Sequence, residues 1–159
     1  MHFFAALTVV LPAIISVIAS PTLQERDRVL TSIVAPADAT VIQPGQPFSF
    51  QYSLNNWCEA GYTPISLYLT QDPPTLSDVD GSGKLDQSIF HFGDFLYNNF
   101  GLPQMSPFPP PSTFTMPTLD ASLLGTTIYF AAVQTELQCP PDGHTEHGID
   151  SNSIQYGSL

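Results

Sequence analysis

Sixteen prolines and ten glycines divide this chain of 159 residues into short pieces. Proline fixes its own φ and cannot donate a backbone hydrogen bond, so frequent prolines stop helices and punctuate strands. The pieces between them carry the second constraint. In PFSFQYSL (47–54), Phe48, Phe50, Tyr52 and Leu54 fall on one face, and Ser49, Gln51 and Ser53 on the other. That period of two belongs to a half-buried strand. No sustained helical period appears anywhere along the chain.

The same reading gives strands at VLTSIV (29–34), ATVIQPG (39–45, running into a turn), TPISLYLT (63–70), SIFHFGDF (88–95, breaking near Gly93), TFTMP (113–117) and TTIYFAAVQTEL (126–137). The last is the most strongly apolar run and is expected at the centre of its sheet. GLPQMSPFPPPS (101–112) is expected to be extended and exposed, and CPPDGHTEHGIDSNS (139–153) to be a long polar loop before a closing SIQYG. Seven or eight short strands with turn signals at this spacing predict an all-β fold: a two-sheet antiparallel β-sandwich, with an orthogonal barrel as the alternative.

Residues 1–19, MHFFAALTVVLPAIISVIA, contain no Asp, Glu, Lys or Arg. Val17 and Ala19 satisfy the small-residue rule for signal-peptidase cleavage, so export is expected, with a polar leader at 20–28 and one domain at 29–159. Pro12 interrupts this run, and no later run is long enough for a membrane anchor. In an oxidising compartment the two cysteines, Cys58 and Cys139, are expected to form one disulfide. Each follows a strand, and a Greek-key order puts both at one end of the sandwich. The bond would then tie two end loops together rather than cross the core. The antibody-type pattern is not met, because Leu137 stands where that pattern has a tyrosine.

Fourteen acidic residues against three basic ones give a formal net charge of −11. Such a surface repels phosphate backbones and anionic lipid, which excludes nucleic acid as an expected partner. No N-glycosylation sequon occurs.

TVIQPGQPFSFQY, Cys58, ISLYLT, FHFGDF, FTMP and IYFAAVQTELQCPP together run over most of the chain. In these segments the chain resembles a group of small secreted proteins of mushroom-forming (basidiomycete) fungi. More distantly it resembles the immunoglobulin-like N-terminal domain of fungal cell-wall assembly proteins. The resemblance implies an immunoglobulin-like sandwich at the cell wall, and it carries over no catalytic residue.

The motifs with possible chemistry are few. DVDGSGKLD (78–86) places Asp78, Asp80, Ser82 and Asp86 at alternate positions with Gly83 sixth, as in a calcium loop. Position twelve is Ile89, which cannot ligate, so a strand-connecting turn is the competing reading. His144 and His147, with Asp142, Glu146 and Asp150 around them, offer imidazole and carboxylate ligands for zinc or copper, against the reading of a solvated acidic loop. Glu59, Glu136, Asp72 and Asp94 are carboxylates without a spacing that pairs any two. No nucleophile elbow or phosphate loop is present. Trp57, Tyr62, Tyr97, Phe100 and Phe108 lie in or near loops and are candidates for stacking on sugar rings, or else for capping the core.

The expectation is therefore a secreted, non-enzymatic protein with no cofactor beyond a possible calcium, whose partner is cell-wall polysaccharide or an extracellular protein. Two other classes stay open: a metal-dependent or hydrolytic enzyme using the acidic loops 72–86 and 142–150, and an effector that binds a host protein.

Overall fold

The computed structural model describes residues 31–157, except Trp57 and Glu59. The segments expected to be a signal peptide (1–19) and a polar leader (20–28), the stacking candidate Trp57 and the carboxylate candidate Glu59 lie outside the described residues. Among the described residues nine strands follow in order: β1 (Thr31–Ala35), β2 (Thr40–Ile42), β3 (Pro47–Ser49), β4 (Gln51–Leu54), β5 (Tyr62–Thr70), β6 (Ser88–Asn98), β7 (Thr113–Thr115), β8 (Thr126–Cys139) and β9 (His144–Tyr156). Two single 3-10 turns lie at Leu76–Asp78 and Ala121–Leu123.

The all-β expectation holds, but the hydrogen bonding is not that of two antiparallel sheets. Five strands form one sheet in the order β2-β9-β8-β5-β6, which curls into a half-barrel. Two ribbons, β1-β4 and β3-β7, are separate. The β2–β9 pair is parallel. β8 stands in the middle of the five, where its apolar composition placed it.

Three local readings change. PFSFQYSL is two strands: at Phe50 the chain leaves β7 and takes up β1. Its alternation survives the switch, with Phe48 and Phe50 buried and Tyr52 half-buried. β6 does not break at Gly93. Leu67 pairs with Gly93 and Tyr68 with His91, so Phe92 is an extra, bulged residue. Gly93, at φ 139°, supplies the backbone conformation the bulge requires. The expected polar loop is mostly β9, pairing with β8 from Cys139↔His144 to Thr126↔Tyr156. A full-length partner strand outweighs the weak strand propensity of its Asp, Asn and Gly residues.

The main core lies on the inner face of the large sheet. Ile65, Leu67, Leu69, Ile128, Phe130, Ala132, Ile154 and Tyr156 pack there against Ile33, Phe48, Phe50 and Met116 from the ribbons and their flanks. Phe130 is the hub, with ring centroids 5.6, 5.7 and 5.5 Å from Phe48, Phe50 and Phe92. A smaller cluster on the outer face joins Tyr68, Ala131 and Val133 to Leu85, from the connection between β5 and β6.

Candidate functional site

Along β8 the inner-face residues are Ile128, Phe130, Ala132, Gln134 and Glu136, so the core turns polar towards the strand's end. Gln134 and Glu136 are fully buried. Gln134 Nε2 donates to the Asn55 carbonyl (3.1 Å) and to Glu136 Oε1, and its Oε1 accepts from the Tyr52 hydroxyl (3.1 Å). Glu136 Oε2 has no hydrogen-bond partner among the described residues. Glu146 stands directly opposite Glu136 on β9. Burial raises the Glu136 carboxyl above its usual range, the Gln134 bond offsets part of that, and the Glu146 charge adds to it.

The disulfide expectation is met: Cys58 and Cys139 are joined and buried. The bond ties the chain after β4 to the last residue of β8, at this polar end. Both sulfurs and a Glu146 oxygen lie within 4.8 Å of one another, but the sulfurs are spent on each other and give no thiolate ligand.

The same end carries a loop fixed through its backbone. Tyr62 Oη donates to the Pro103 carbonyl (2.9 Å) and Asn98 Nδ2 to the Leu102 carbonyl (2.8 Å). Further along, the Leu96 amide donates to the Phe108 carbonyl at 3.3 Å. The loop's large side chains point outward: Phe100 is 74% exposed, Phe108 64% and Met105 52%. Of the predicted stacking residues, Tyr62, Phe100 and Phe108 border this edge. Tyr97 does not: it is half-buried, stacks on Tyr52 at 6.3 Å and packs against the core. Its register opposite Thr63, itself fully buried, turns it inward.

The remaining predicted residues are dispersed. His144 and His147 do not converge, because three positions along a strand reverse the face. His144 bridges Asp142 (Nδ1, 2.5 Å) and Glu146 (Nε2, 2.8 Å), and these two carboxylates hold its proton above the usual range. His147 instead meets Thr135 Oγ1 at 3.2 Å. In the acidic turn, Asp78 Oδ2 caps the Thr75 amide (2.7 Å). Asp80 Oδ1 accepts from the Ser82 amide and hydroxyl and from the Lys84 amide (2.8, 2.7 and 2.9 Å). These bonds keep both carboxyls below the ordinary range. Ser82 thus donates to Asp80, and the Asp86 amide donates to the Asp78 carbonyl (3.2 Å), the pattern of a closed turn. Asp94 lies across the sheet from Glu136, bonded to Ser66 Oγ (2.7 Å) and His91 Nε2 (3.0 Å), so those two carboxylates form no pair.

Sequence reasoning singled out neither Gln134 nor the Glu136–Glu146 opposition. The parity signal was available for half of it: Gln134 and Glu136 share the parity of Ile128 and Phe130, which places them inward. No protein-family model matches the chain, and neither a curated protein nor a solved structure matches it.

Proposed function

We propose that this is an exported, non-enzymatic protein that attaches to cell-wall polysaccharide through the aromatic edge formed by Tyr62, Phe100 and Phe108. The carrying observation is the exposure of Phe100 and Phe108 on a loop pinned by its own carbonyls. Exposing large apolar rings costs solubility and is expected where they meet a partner. A loop already held in place loses little further entropy on binding. Aromatic faces suit the apolar faces of sugar rings, and an acidic chain of net charge −11 favours neutral or cationic polymers over anionic ones. The resemblance to secreted fungal proteins points the same way. On this reading the ribbons β1-β4 and β3-β7 stand for the second sheet of an immunoglobulin-like sandwich, split in two.

The test is sedimentation of the purified protein with insoluble β-glucan, chitin and cellulose. Depletion by at least one polymer is expected, with loss of binding in Phe100→Ala or Phe108→Ala and an unchanged circular dichroism spectrum. If none of the three polymers depletes the protein, the reading fails, and a protein partner or the two acidic loops are the readings to test next.

A further inference from the structure

We infer that Glu136 is a proton-operated lock on the disulfide-tied end of the sheet: protonated, it closes that end, and ionised, it loosens the hold on the segment beginning at Asn55. The geometry is that of a carboxyl with nowhere to put a charge. Glu136 is fully buried, and its Oε2 meets no donor among the described residues. Burying an ionised carboxylate without a partner is costly, and the usual relief is uptake of a proton.

The groups around Glu136 deepen this. From β9, Glu146 faces it in direct register. Behind Glu146 come His144 and then Asp142, more exposed at each step. From β8 itself, Gln134 donates to the Glu136 carboxyl. From β4, Tyr52 holds the other end of Gln134. β5 contributes Thr63 and Ile65 to this end, neither of them charged. The disulfide closes the end beyond Glu146. Lys84, the basic residue of the described chain, belongs to the acidic turn, and that turn packs against Thr135 and His147 of the outer face. Among the described residues no lysine or arginine therefore offsets the two facing carboxylates on the inner face, and the imidazole of His144, when protonated, meets Glu146 and not Glu136.

Gln134 couples this proton to the backbone. Its one amide nitrogen serves both Glu136 and the Asn55 carbonyl. A charge on Glu136 draws that nitrogen towards itself and draws water towards Oε2, and both effects work against the Asn55 bond. Asn56 and Ala60 follow, joined by the Asn56 Nδ2 to Ala60 carbonyl bond (2.7 Å).

The sign follows from linkage. A carboxyl that holds its proton more tightly when folded than when unfolded stabilises the fold most at low pH. That stabilisation decays as pH rises from the ordinary value of 4.5 through the folded value, and is level beyond it. Inside the window the folding constant falls with pH, by at most about tenfold per unit for one extra bound proton. His144 acts in the same direction, with its contribution lost as pH rises from 6.5 through its own folded value. The two must therefore be separated.

The experiment compares unfolding of the wild type, His144→Gln, and His144→Gln combined with Glu136→Gln, from pH 3.5 to 8.5 with EDTA present. Amide exchange at Asn99, whose amide donates to the Gly61 carbonyl of the segment beginning at Asn55 (2.9 Å), is read in parallel. With His144 absent, the decline above pH 4.5 should remain, at most about tenfold per unit, and adding Glu136→Gln should remove it. The Asn99 amide should lose protection across the same window only where Glu136 is present. Parallel stability curves for the last two proteins overturn the inference. If the Glu136 variant does not fold, Glu146→Gln in the His144→Gln background decides: removing the facing charge should shift the decline to lower pH, and an unmoved decline overturns it. None of these readouts uses a polysaccharide, so they stand or fall separately from the proposed function.

Discussion

Gly83 shows how tightly single residues of the acidic turn are specified. Its φ is +79°, and a Cβ there would lie 2.6 Å from Thr135 Oγ1 and 3.0 Å from His147 Cε1. The turn thus needs glycine for its backbone angle and also for its seat against β8 and β9. Left-handed backbone costs a residue with a Cβ about 1–2 kcal/mol, and the contact with Thr135 adds to it. Gly83→Ala should therefore lower stability by about 2 kcal/mol or more in urea denaturation. Gly81→Ala is the control. Gly81 has no left-handed φ and open space at its Cβ position, so its loss should stay within about 0.5 kcal/mol. Equal losses at the two glycines would show that neither the left-handed φ of Gly83 nor its seat against Thr135 matters. The same residues explain why the stretch reads as a cation loop. Aspartates that accept hydrogen bonds from nearby amides and glycines that reverse the chain serve a tight turn as well as an ion.

At the scale of the element, the central strand carries most of the fold. Phe130 is fully buried on β8 and meets rings from β3, from Phe50 between the ribbons, and from the β6 bulge. Truncating such a residue removes its transfer energy and leaves a cavity among aromatic edges that cannot collapse. Phe130→Ala should cost about 3–5 kcal/mol, read as a shift of the denaturation midpoint. A loss near 1 kcal/mol would mean that the ribbons do not depend on this hub. β8 was legible in the sequence because its apolar residues exceed what any turn could use. β5 and the alternation of 47–54 were legible for the same reason: one face buried, one face wet. β9 was not legible. Its inner face presents Glu146, Gly148, Asp150 and Asn152 to polar partners, such as the Ile33 amide held by Asp150 at 2.6 Å and the Ile33 carbonyl held by Asn152 at 3.0 Å. A strand that is half-buried on both faces, with polar residues on the inner one up to Asn152, has no hydrophobic period to show there. The split at Phe50 was hidden too, since an unbroken alternation does not reveal that the partner strand changes beneath it. At the candidate site, the exposure of Phe108 could be read from its place between Pro107 and Pro109, in the segment 101–112 expected to be exposed, whereas Phe100 lies just before that segment and has no such signal. The inward turn of Tyr97 depends on a register with β5 that local sequence does not display.

For the whole molecule, cohesion is set against self-repulsion. The chain carries fourteen acidic residues and three basic ones, so its compact state confines a net charge of −11. Confinement of like charge opposes folding, most strongly at low ionic strength, where screening is weakest. The Cys58–Cys139 bond acts on the other side of the balance. It closes a sequence separation of 81 residues, and on chain-entropy grounds that contributes about 4–5 kcal/mol by restricting the unfolded chain. A domain of this size has about 5–15 kcal/mol in total, so losing the bond consumes a large share of it. The Cys58→Ala, Cys139→Ala double variant should therefore be largely unfolded at about 10 mM salt and recover folded signal at several hundred millimolar, where the Debye length has fallen to a few ångströms. The wild type should need no added salt. Circular dichroism melts of both proteins across a salt series measure this directly. A double variant as stable as the wild type at low salt would mean that burial alone holds the polar end. A double variant that salt cannot restore would place the loss in local packing around Glu136 and Glu146, instead of in the balance between chain entropy and charge.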